Sequence, residues 1–121
     1  MAKALGVGGI FFKSPDPAAL MAWYERALGF PAGGYVAFEP DAAPAGGCTT
    51  FCAFKADTDH FAPSTREFMF NLMVDDLHGA LKQVVEAGGK LVGEPQDFDY
   101  GSFGWFVDPD GNKVELWQPK A

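Results

Sequence analysis

Shifted by sixty residues, the chain lies over itself: Asp16 falls on Asp76, Ala27 on Ala87 and Gly29 on Gly89. Residues 4–12, ALGVGGIFF, read as a buried strand. Asp16 then stands as N-cap of a helix with Pro17 at its first position. Leu20, Trp23, Tyr24, Ala27 and Leu28 recur at helical spacing, and Gly29 stops the helix. Short strands are expected over 35–38 and 48–54, followed by an irregular loop over 56–66. The order then restarts. Phe68–Val74 reads as a strand, Asp75-Asp76 offers a cap, and Leu77, Leu81, Val84 and Val85 form a helical stripe closed by Gly88-Gly89. Strands at 90–92, 102–107 and 113–117 complete the second half. The pattern predicts one α+β domain over 1–121, built from tandem βαβββ modules at about 4–56 and 67–119.

A chain of 121 residues needs no staple, since folding at this length buries about two thirds of the surface. Its 48% hydrophobic and 21% charged residues exclude a disordered segment. The net charge of -7 argues against nucleic acid, whose phosphates require clustered Lys and Arg. No apolar run approaches the roughly 18 residues that span a membrane. The apolar run after Lys3 is short, glycine-rich and stopped by Lys13, unlike a signal peptide. Cys48 and Cys52 lie four apart on one expected strand face, not in a CxxC motif. Reduced, partly buried thiols in a cytoplasmic protein are the expectation.

The residue with most chemical content is Glu115. Asp108-Pro109-Asp110-Gly111-Asn112 reads as a tight turn. It delivers Val114-Glu115-Leu116-Trp117 as a strand of alternating faces, so Glu115 points either to water, pairing with Lys113, or into a site. On the inward choice, Trp117 shares its face, Met69, Asn71 and Met73 share one face of the strand before the second helix, and Gly9 and Phe11 share one in the first half. Trp105, or its neighbours Phe103 and Phe106, comes from the adjoining strand, and Tyr100 offers a hydroxyl near the mouth. Glu115 is thus the candidate catalytic group. Phe11, Met69, Asn71, Tyr100, Trp105 and Trp117 are the candidate ligand-binding residues. The same make-up also suits an ordinary core. Gly6-Val7-Gly8-Gly9 lacks the spacing of a nucleotide loop, and the turn lacks the remaining ligands of a calcium loop.

The GF or GG closing each helix and the ending DPDGNKVELW resemble the vicinal oxygen chelate superfamily: glyoxalase I, bleomycin-resistance proteins and extradiol dioxygenases. The resemblance implies two βαβββ modules forming a curled mixed sheet around a cleft, completed in a homodimer. Metal-dependent members take two ligands from each module. By that resemblance Glu115 matches the last ligand position, while Gly9 and Met69 fall at two others and the strand CTTFCAF supplies no His, Asp or Glu. The nearest spare donors are Asp57, Asp59 and His60 in the following loop. Catalytic sites normally use about three protein donors, so neither a metal nor any other cofactor is expected. A non-catalytic accessory or regulatory domain, its cleft filled by its own side chains, is one reading, and two ligand-directed functions stay open beside it. One is binding of a small, cationic or aromatic ligand in a metal-free apolar cleft with one carboxylate. The other is a glyoxalase-like lyase or isomerase with Glu115 as general base, with or without a divalent metal.

Overall fold

The computed structural model describes residues 7 and 9–120. Two helices, α1 (Pro17–Leu28) and α2 (Leu77–Glu86), form where their local signals put them. Asp16 accepts from the Ala19 N–H at 3.1 Å, and Asp76 from the Gly79 N–H at 3.1 Å. Each cap thereby satisfies one of the orphan donors of a helix start. Gly29 ends α1 with φ 70°, a left-handed conformation costly for any residue with a Cβ.

Five strands follow: β1 (Phe70–Met73), β2 (Lys90–Leu91), β3 (Gln96–Phe98), β4 (Gly101–Val107) and β5 (Lys113–Pro119). They make an open mixed sheet in the order β1-β5-β4-β2, with β3 also pairing β4. β1 runs parallel to β5, and every other pair is antiparallel. The register aligns Asn71, Glu115 and Trp105 in one row across three strands, and Met73, Trp117 and Phe103 in the next. Alternation then assigns the faces. Phe106, Val114 and Leu116, all fully buried, pack on one face against Leu20, Trp23, Leu77, Leu81 and Val84 of the helices. At Gly104 a Cβ would stand 2.8 Å from Leu81 Cδ1, so the missing side chain is what lets α2 rest on β4. Trp23 Nε1 donates to the Ala87 carbonyl at 2.8 Å, and Gln83 Nε2 to the Ala27 carbonyl at 3.0 Å, tying the helices together.

The turn before β5 is fastened from inside. Buried Asp108 accepts from the Asp110 and Asn112 N–H groups at 3.0 and 2.9 Å, and from Asn112 Nδ2 and the Tyr24 hydroxyl, each at 2.9 Å. Burial, then the neighbouring Asp108, pushes the Tyr24 hydroxyl far above its ordinary range, so it stays a neutral donor.

The first half departs from expectation. Residues 9–13, 35–39 and 48–55 carry no strand; α1 and a short 3-10 turn, Pro40–Ala42, are its regular elements among the described residues. The remainder of the expected 4–12 strand lies outside those residues. Phe11, Tyr35 and Phe51 are 96%, 78% and 91% exposed. A strand persists only against a partner edge and a surface to bury its face, and among the described residues these segments pair with no strand. The cysteines are likewise exposed, not partly buried.

Candidate functional site

With one face of the sheet on the helices, Glu115 points from the other. Its Oε1 accepts from Asn71 Nδ2 and its Oε2 from Trp105 Nε1, both at 2.7 Å. The strand register makes this possible, because the three residues are cross-strand neighbours. The carboxylate is 16% exposed and oriented by two N–H groups. Each of its oxygens keeps a lone pair for a further donor.

A third side chain arrives from outside the sheet. His60 Nε2 stands 3.6 Å from Glu115 Oε2. The His60 ring stacks on Phe54 (5.6 Å between centroids, 6° between planes) and meets Trp105 edge-on at 6.3 Å. Lys113, two residues before Glu115 and on the same face, is 7% exposed. Its Nζ donates to the His60 carbonyl at 2.5 Å and lies 5.9 Å from the centre of the Trp105 ring. Burial lowers the Lys113 pKa, against the raising influence of Glu115 and Asp59.

Away from this polar centre the face is aromatic. Phe103 and Trp117 lie parallel within 2° at 6.0 Å. Phe98 meets Phe103 edge-on at 5.9 Å and stacks on Tyr100 at 5.4 Å. A carboxylate at one end of a row of ring faces suits a ligand with both a plane and a positive charge. Phe103, Trp105 and Trp117 on this face are half-buried. Two depressions among the described residues, about 270 and 300 Å³, lie elsewhere, beside Val74–Asp76 and along the Met21 side of α1.

Of the residues expected from sequence, Glu115, Asn71 and Trp105 come together, with Trp117 one step along the same face. Tyr100 joins the row through its ring, and its carbonyl accepts from Trp117 Nε1 at 3.3 Å. Met69 sits one residue before β1, half-buried. Phe11 stands apart. Almost fully exposed, it lies in residues 9–13, which carry no strand, and it joins none of these side chains among the described residues. His60 enters the site from the loop, whereas Asp57 and Asp59 make no hydrogen bond to it among the described residues. The contribution of Lys113 as a loop clip had no sequence signal beyond its nearness to Glu115.

Metal coordination fits this arrangement poorly. Among the described residues no three His, Cys, Asp or Glu side chains gather to hold an ion. Glu115 and the neighbouring His60 supply two donors, one fewer than a catalytic ion normally takes from a protein.

The sequence pattern of a glyoxalase-like domain matches residues 9–117. The chain belongs to the glyoxalase-like domain family. A glyoxylase/bleomycin resistance protein/dioxygenase domain from Frankia sp. EAN1pec shares its fold over 98% of this chain and 100% of that one, with a TM-score of 0.59 and 16% identity. Shorter likenesses reach TnmS3, an antibiotic binding protein from Streptomyces sp. CB03234 (31% identity, 45% of each chain, TM-score 0.40). Another reaches the fosfomycin resistance protein FosX from Mesorhizobium loti (18% identity, 50% of this chain and 51% of that one, TM-score 0.39). These two matches span about half of either partner. Comparison with curated proteins gives no significant match. Among the described residues of this glyoxalase-like chain, no helix is long and apolar enough to cross a membrane.

Proposed function

We propose that this glyoxalase-like domain binds a small molecule carrying an aromatic ring and a positive charge, anchored on Glu115 without a metal ion. The observation that carries the reading is the Glu115 carboxylate, aimed by Asn71 and Trp105 at one end of the aromatic row. A ring gains contact area against Trp117 and Phe103, and a protonated nitrogen gains the carboxylate and the faces of the indoles. The net charge of -7 draws such a ligand from a distance. Two copies of the chain form the working unit in this reading. In support, Phe11, Tyr35 and Phe51 are exposed apolar residues on segments without a strand partner. A reducing, cytoplasmic setting is consistent with the free, exposed Cys48 and Cys52.

Tryptophan fluorescence tests the reading, since Trp105 and Trp117 lie on the proposed face. A panel of aromatic amines and quaternary aromatic cations should include compounds that quench saturably. Glu115→Gln should weaken those compounds roughly tenfold or more, through loss of the carboxylate charge and, for the amines, of a charge-assisted hydrogen bond. Quenching unchanged by Glu115→Gln would place the ligand elsewhere.

The His60 contact favours a second reading, a lyase or isomerase. A carboxylate and an imidazole 3.6 Å apart are two groups able to exchange protons with one substrate. Glu115 would take a proton next to a carbonyl, and His60 would return it. Turnover in a carbonyl-substrate screen that is lost in both Glu115→Gln and His60→Ala would select this reading over simple binding.

A further inference from the structure

The loop between the two halves of the chain is held to the sheet at two places. At its far end Arg66 Nη2 donates to the Asp110 carbonyl at 3.1 Å. At its tip Lys113 Nζ donates to the His60 carbonyl. Between and around these, the hydrogen bonds of the loop are local turns: Thr58 N–H to the Lys55 carbonyl, Ala62 N–H to Asp59, and Ser64 N–H to Phe61, at 3.0–3.1 Å. Such turns hold the loop's own shape and move with it. Its position over the sheet therefore depends on the two long-range clips and on the ring contacts of His60 and Phe61 with Phe54, Trp105 and each other.

We propose that Lys113 is a positioning residue, a latch that fixes the His60 loop as a removable cover across the Glu115 carboxylate. The ammonium has few other partners at hand. It sits 7% exposed under the loop, so its hydration is largely replaced by the His60 carbonyl and the Trp105 ring. A donor so stripped of water costs much to leave unpaired, and this makes the latch directional: the loop is pulled down onto Lys113. With the latch closed, His60 Nε2 faces Glu115 Oε2, at the lone pairs a ligand would use. With it open, the carboxylate and the Trp105 face are bare while Arg66 keeps the loop tethered. That the cover guards a ligand site rests on the binding reading above; the latch itself does not.

The chain supplies its own control, because its two histidines are His60 and His78, and His78 is exposed on α2. Diethylpyrocarbonate modification of each, followed by peptide mass spectrometry on the full chain, should find His60 slower than His78. In Lys113→Met, which keeps the aliphatic stem, His60 should react several-fold faster and approach His78. Lys113→Arg, which retains a donor, should restore protection. Thermal melting checks that both variants fold, and the His78 rate should not change. His60 reacting equally in wild type and a folded Lys113→Met overturns the latch. A parallel titration with N-methylquinolinium, read by tryptophan quenching, separates the two ideas. Faster association in Lys113→Met supports the cover, and unchanged association overturns it. No quenching in either protein, with His60 still released, sinks the ligand reading and leaves the latch standing.

Discussion

The two halves of this chain are alike as strings and unlike as structures. Asp16 and Asp76 both cap helices, and Gly29 and Gly89 both follow them, yet among the described residues only the second half builds a sheet. A helix closes its hydrogen bonds within its own turn and needs one apolar face covered. A strand needs a neighbour for its backbone and a layer for its side chains. β4 and β5 provide both for each other, joined by a turn that Asp108 and Tyr24 hold from within. The first-half segments pair with no strand among the described residues, and Phe11, Tyr35 and Phe51 stay in water. Sequence alternation records what a segment would bury, not whether the partner lies in the same chain.

Substitutions in the two halves sharpen this contrast. The largest effect is expected at fully buried Phe106, where Phe106→Ala should cost about 3–5 kcal/mol in urea unfolding. Phe51→Ala, at a ring 91% exposed, should change stability by no more than about 0.5 kcal/mol at concentrations low enough to keep chains apart. A large loss there, growing with protein concentration, would mean that the first half folds against a second copy. Next comes the turn. Asp108→Ala removes the acceptor of four hydrogen bonds and strands the Tyr24 hydroxyl, for an expected loss of about 2–3 kcal/mol.

The Tyr24 hydroxyl also sets a pH dependence. Its pKa is raised in the folded protein, so the folded state keeps the proton that the unfolded chain gives up. The stabilisation is complete below the unfolded value of about 10 and is lost as pH rises beyond it. Urea midpoints should therefore fall between neutral pH and strongly alkaline solution. Tyr24→Phe should flatten that fall while costing about 1 kcal/mol at neutral pH. A small effect is also expected beside Glu115. Trp105→Phe removes the indole N–H from Glu115 but keeps the ring, and should leave stability within about 1 kcal/mol while loosening the carboxylate.

Legibility followed the range of the interactions. α1 and α2 were readable to within a residue or so, because cap, stripe and stop are local. β1, β4 and β5 were readable from alternation and from the turn between the last two. β3 was missed: Gln96, Asp97 and Phe98 are all exposed, have no apolar alternation, and form a strand only because β4 offers an edge. In the site, Asn71, Trp105 and Glu115 were readable as inward residues of neighbouring strands. Phe11 was misplaced along with its strand. His60 was noticed as a donor in the loop, but nothing periodic in an irregular loop says where its tip will land. That required the Lys113 contact, which joins residues 53 apart in the chain.

On the proposed reading, Glu115 anchors a cation on an aromatic face. The direct measurement is a calorimetric titration of wild type and Glu115→Gln with one aromatic quaternary cation, such as N-methylquinolinium, in buffer containing EDTA. One site per chain in wild type, weakened roughly tenfold or more by the amide, is the predicted result. Binding that needs an added divalent ion, or that ignores Glu115→Gln, would contradict it.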